Sequence, residues 1–103
     1  MNNGRPLARP AVLLLEERDT AAVALIPLPA GTQVEIRRGG ATVKVVVDTL
    51  IPFGHKLAVT PMAAGDAVLK YGEVIGYATT DIRPGQHVHV HNMRSDRAKL
   101  SDA

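Results

Sequence analysis

The sequence predicts an all-β domain of short strands joined by Pro/Gly turns, and three observations carry that expectation. The apolar residues are Val, Ile, Leu and Ala, with Phe53, Tyr71 and Tyr77 as the only aromatics. Branched aliphatics suit a pleated, half-buried surface. Glycines and prolines are spread along the whole chain, as many short strands require. Finally, four stretches share one pattern, in which an apolar residue precedes a Gly by three positions and a second apolar residue follows it by three. They are Leu28–Val34, Ile51–Leu57, Met62–Val68 and Ile82–Val88. The residue before each Gly suits the first central position of a type II turn, and Gly supplies the positive φ of the second. The irregular spacing of the copies argues against a solenoid.

Taken in order, residues 1–10 carry Asn, Gly, Arg and two prolines and read as a flexible leader. Val12–Leu15 is an apolar run that ends in Glu16-Glu17-Arg18-Asp19, hence a strand and a turn. Glu16–Ala24 has some helical propensity, but the prolines that follow favour a strand over Ala21–Ile26. Val34–Arg37 and Thr42–Val47 flank Arg38-Gly39-Gly40, a hairpin signal. Lys56–Thr60, Ala67–Tyr71, Val74–Thr79 and His87–Asn92 complete the strands, and Pro61–Ala64 has room for one helical turn. The domain is therefore expected over residues 11–93, with 94–103 a flexible tail.

A chain of 103 residues is one small domain. At this size only about 60–65% of the unfolded surface is buried, so a deep, self-contained active site is hard to build. That favours a binding module or a subunit. The net charge of +2 is too small to imply nucleic acid as a partner. Arg94, Arg97 and Lys99 cluster near the end, but Asp96 and Asp102 dilute them. The absence of Cys excludes disulfides and thiolate metal sites. No segment approaches the ~20 apolar residues of a membrane span, and Val12–Leu15 is too short for a signal core. Cytoplasmic location is the expectation.

Candidate chemistry gathers in three places. His87, His89 and His91 alternate, and on a strand a period of two puts all three imidazoles on one face, with Val88 and Val90 on the other. Neighbouring rings would then stand about 6.5–7 Å apart along the strand, so a third ligand from elsewhere would help them hold a metal. The competing reading is a solvated polar face. His55 and Lys56 follow the turn at Gly54, where they would meet an anion or simply face water. Lys70-Tyr71-Gly72-Glu73 is a second turn. Here Tyr71 either closes the core edge or touches a ligand. Asn92 would cap a strand end or bind a substrate oxygen. No phosphate-cradling Gly loop or serine elbow occurs, and Asp48, Asp66, Glu73 and Asp81 are isolated carboxylates.

Four segments, in order, resemble the SAF domain of altronate/galactarate dehydratases. Asp19–Leu25 with Leu28-Pro29-Ala30-Gly31-Thr32 is similar to its opening. Ile51-Pro52-Phe53-Gly54-His55-Lys56-Leu57-Ala58 resembles its I-P-x-G-H-K turn, with Phe53 in place of a small residue. Ala64–Thr79, which holds Lys70-Tyr71-Gly72-Glu73-Val74-Ile75-Gly76-Tyr77-Ala78-Thr79, resembles its K-Y-G-x-x-I-G-x-A-T segment, and Gly85-Gln86-His87-Val88-His89-Val90-His91-Asn92 its G-x-H-V-H-x-H-N ending. The resemblance spans about residues 19–93 and implies a β-clip fold. It also implies a β-elimination from a small acidic sugar, with a divalent metal, iron by expectation, in the complete enzyme. Because the sequence ends soon after Asn92, a separate large catalytic dehydratase subunit is the expected partner, and a homo-oligomer is compatible. His55, Lys56, Lys70, Tyr71 and Asn92 become the candidate substrate-binding residues, and His87, His89 and His91 the candidate metal ligands. The small subunit of a sulfolactate sulfo-lyase, or a non-catalytic carbohydrate- or protein-binding module, fits the same motifs.

Overall fold

The computed structural model describes residues 11–95, and they form nine strands with no helix among them. These are β1 (Val12–Leu13), β2 (Ala21–Ala24), β3 (Gln33–Arg38), β4 (Ala41–Val46), β5 (Lys56–Ala58), β6 (Ala67–Lys70), β7 (Glu73–Ala78), β8 (His87–Val88) and β9 (Met93–Ser95). The all-β expectation holds. The leader at 1–10 and the tail from residue 96 lie outside the described residues. Arg94 and Ser95, assigned to that tail, instead pair with β7 as part of β9.

The four repeats are type II turns. Thr32, His55, Asp66 and Gln86 each donate an N–H to the carbonyl three residues back, at 2.9–3.1 Å. The third residue of each turn, Gly31, Gly54, Gly65 or Gly85, has φ between +83° and +94°. The turns also pair with one another. Leu28 and Ile51 exchange both backbone hydrogen bonds at 2.9 Å, and Met62 and Ile82 do the same at 2.8–2.9 Å. The apolar residue that opens each repeat is thus an inward anchor, and all four are almost fully buried. The single helical turn foreseen at Pro61–Ala64 is not formed, because Met62 is taken up by this bridge.

The central sheet has the order β1-β2-β5-β8, and all its pairs are antiparallel. Both of its faces are covered. Ala22, Ala24 and Leu57 point into one apolar cluster with Leu28, Val34, Ile36, Val45, Val47 and Ile51. Ala21, Ala58 and Val88 point into a second with Met62, Val68, Ala78 and Ile82. Small alanines on β2 let the β3–β4 hairpin and the β6-β7-β9 sheet close in from opposite sides, and a doubly covered strand reads as a continuous apolar run. The β3–β4 hairpin turns at Gly39-Gly40, with positive φ at Gly39 alone, as in a type II′ turn.

Candidate functional site: a three-histidine cluster at the end of the central sheet

The site sits at the end of the central sheet where β5 and β8 pair. Leu57 lies opposite His87, and Lys56 lies opposite Val88. Paired residues of a ladder share a face. Extending that register by one step puts His55 with His89 on the side of Leu57 and His87, and leaves Lys56 on the other. The rings meet accordingly. His55 stacks on His89 with centroids 4.5 Å apart and on His87 at 5.1 Å, while His87 and His89 stack at 5.2 Å. His55 Nδ1 and His87 Nε2 are 2.9 Å apart and share a hydrogen bond.

The strand foreseen over His87–Asn92 stops after Val88. The next four residues make a turn closed by Asn92 N–H donating to the His89 carbonyl at 3.1 Å. Asn92 is buried, and its side chain bonds to both ends of this turn. Its Oδ1 accepts from the His89 N–H at 2.9 Å, and its Nδ2 donates to the His87 carbonyl at 2.8 Å. Asn92 thus caps the end of β8. The turn also separates the histidines. His87 and His89 stay together, whereas His91 rides on the exposed turn with its ring tilted 39° and 5.4 Å from that of His87. Among the described residues, the nitrogens that converge are those of His55, His87 and His89, all within 4.8 Å of one another. The sequence placed His91 in that set and His55 outside it. Only the β5–β8 pairing brings His55 in.

The electrostatics are one-signed. His87 is pushed down to about 4, first by burial and then by His55, His89, His91 and Lys56. His89 is lowered by burial and by His55, Lys56 and His91. Lys56 is lowered by burial and by Lys70. His87 and His89 are thus held towards the neutral form, which can serve a Lewis acid or a donor. The charges acting on these groups are all basic, which suits an anion.

Lys70 ends β6, and its Nζ lies 4.8 Å from the centre of the Tyr71 ring. Tyr71 does not close the core. It is 39% exposed, and it is the one non-glycine among the described residues with positive φ, at 57°. Followed by Gly72 at 79°, it forms a type I′ hairpin turn between the paired Lys70 and Glu73. Sequence reasoning missed the group that holds this strained turn. The Asp19 carboxylate is fully buried and accepts N–H bonds from Tyr71 at 2.9 Å, Gly72 at 2.8 Å and Glu16 at 3.1 Å. Arg18 adds a bond to the Gly72 carbonyl, and Arg38 braces the carbonyls of Glu17 and Asp19. The available signal was the acidic run before β2, which looks like a solvated turn until the distant hairpin docks on it.

The fold and site define a small all-β module of paired type II turns that carries a compact imidazole cluster and Lys56 at one end of its central sheet. The chain belongs to the family described as the altronate/galactarate dehydratase SAF domain, whose model matches residues 10–96. Altronate dehydratase from Escherichia coli (strain K12) is 44% identical over 82 residues, covering 80% of this chain and 16% of that protein. The (2R)-sulfolactate sulfo-lyase subunit alpha of Chromohalobacter salexigens is 45% identical over 56 residues, covering 54% of this chain and 60% of that one. The corresponding subunit of Paracoccus pantotrophus is 49% identical over 47 residues, covering 46% and 70%.

Proposed function

We propose that this chain is the small SAF-domain component of a sugar-acid dehydratase of the altronate/galactarate type, working in the cytoplasm beside a larger catalytic polypeptide. The observation that carries this reading is the convergence of His55, His87 and His89 next to Lys56, at a sheet end that the domain's own core leaves open. The aligned altronate dehydratase is about six times the length of the match, so there the same module is joined to much more protein. In this chain, Lys56 and Lys70 would receive the carboxylate of the acid, with the imidazoles donating to or accepting from its hydroxyls. Tyr71 would line the approach, and Asn92 would hold the turn that fixes His87 and His89.

Elimination removes the proton α to the carboxylate and breaks the C–O bond at the neighbouring carbon, so that the hydroxyl leaves as water. A divalent metal, when bound, polarises that hydroxyl. The α-proton would be taken by a base on the large polypeptide. A second reading, the small subunit of a sulfolactate sulfo-lyase, is favoured by the larger share of those relatives that the match covers.

The test is co-purification and reconstitution. The isolated chain is expected to form a stable heteromer with a dehydratase-like large subunit and to restore dehydration of altronate or galactarate, while showing no turnover alone. Restoration of sulfite release from sulfolactate instead would establish the second reading. A chain that forms no heteromer and restores neither reaction would refute both.

A further inference from the structure

We propose that His55, His87 and His89, without His91, bind one divalent transition metal in this chain alone, leaving at least one coordination position open for an oxygen donor. This deepens the proposed function and rests on it only for the identity of that donor.

The argument begins with geometry. Three nitrogens around a tetrahedral ion at ~2.0–2.1 Å must lie about 3.4 Å from one another. His55 Nδ1 and His87 Nε2 already stand 2.9 Å apart across a shared proton, and the full set lies within 4.8 Å. Modest rotation of the His89 ring closes the remainder. An ion in place of the shared proton satisfies both lone pairs at once.

The backbone carrying the ligands is already fixed. His55 N–H donates to Pro52 in the type II turn, and its carbonyl accepts from Ala24 on β2. The Asn92 side chain ties His89 N–H to the His87 carbonyl, setting the spacing of those two ligands. Residues whose supporting hydrogen bonds are in place lose little freedom on binding.

Donor chemistry narrows the ion. A set of imidazoles suits Zn²⁺, Co²⁺, Ni²⁺ or Fe²⁺, whereas Mg²⁺ and Ca²⁺ prefer oxygen. Three protein ligands also match sites that keep a position for water or substrate, whereas closed structural sites use four. Imidazoles carry no negative charge to offset the ion's, and Lys56, whose charge reaches His87 and His89, adds to it. An anionic oxygen donor such as a carboxylate is the ligand this field selects.

The experiment is titration of the untagged full chain with Co²⁺, read by visible d–d absorption and by paramagnetic broadening of the histidine ring signals. Expected is one equivalent bound, broadening at His55, His87 and His89, and displacement by Zn²⁺ but not by Mg²⁺. His55→Asn, His87→Asn and His89→Asn should each weaken binding by at least about tenfold, with His91→Asn within about threefold of the parent. No Co²⁺ binding by the folded parent chain would overturn the proposal, and ring broadening makes that judgement without any variant. Loss of binding in His91→Asn with His55→Asn unaffected would overturn the ligand set. Metal binding by a chain that recruits no large subunit would sink the dehydratase reading and leave this site standing. A functional heteromer whose small chain binds no Co²⁺ would do the reverse.

Discussion

At the scale of single residues, Asp19 and His87 show how one buried or crowded group sets local behaviour. Asp19 is a fully buried carboxylate whose three N–H donors include both central residues of a turn that a tyrosine enters at positive φ. A bulky residue in that conformation costs about 1–2 kcal/mol, and the carboxylate offsets it with charge-assisted bonds. Asp19→Ala leaves those donors without their acceptor. It should destabilise the chain by about 2–4 kcal/mol in urea denaturation, with Asp19→Asn losing less. His87 gives a pH prediction. Its folded value of about 4 lies below the ordinary 6.5, so the unfolded chain binds the extra proton. Stability therefore rises with pH across that window. It is fully present above the ordinary value and lost as pH falls towards 4. The urea midpoint of the metal-free chain should drop over this range, and His87→Asn should flatten the drop. The ring signals of His87 followed by NMR give the site-specific check.

At the scale of elements, the type II turns are equivalent in sequence and unequal in surroundings. Gly31 and Gly85 both have strongly positive φ, but a Cβ at Gly31 meets open space, whereas one at Gly85 runs into the Val46 carbonyl. Gly31→Ala should cost about 1 kcal/mol from backbone conformation. Gly85→Ala should cost clearly more and shift the β4 amide signals. A comparison of urea midpoints separates the two, and equal losses would mean that the Gly85 turn does not press on β4. The turn at 89–92 shows the same dependence on context. Alternation of His and Val predicts a strand, yet the short amide side chain of Asn92 offers the backbone a competing set of bonds and closes a turn.

For the whole molecule, the central sheet joins two apolar clusters that share no residue, with Ala21 and Ala22 facing opposite sides and Leu57 and Ala58 doing likewise. Neither cluster persists without that sheet, so the described domain should unfold in one transition. Leu57→Ala in one cluster and Met62→Ala in the other should each cost about 2–5 kcal/mol. Both should move the same transition when followed by circular dichroism and by the Tyr77 signal. Two separated transitions would show that the clusters fold independently. The architecture also explains why the site lies where it does. Closing both faces of the sheet leaves its β5–β8 end, carrying the imidazoles, as the exposed place where strands from distant parts of the chain converge.

The amino-acid sequence by itself determined the strand-rich class, the four turns, the anchors Leu28, Ile51, Met62 and Ile82, and the chemical character of the His87–Asn92 segment. Each of these is a local property, set by a glycine's permitted φ or by side-chain type within a few residues. Only the tertiary structure decided that the turns pair two by two, that His55 replaces His91 in the convergent cluster, that Asn92 caps, and that Asp19 clamps Tyr71. These are contacts between residues 20 to 53 positions apart, or competitions between a strand and a turn. Their outcome depends on which backbone partners the rest of the fold brings within hydrogen-bonding reach.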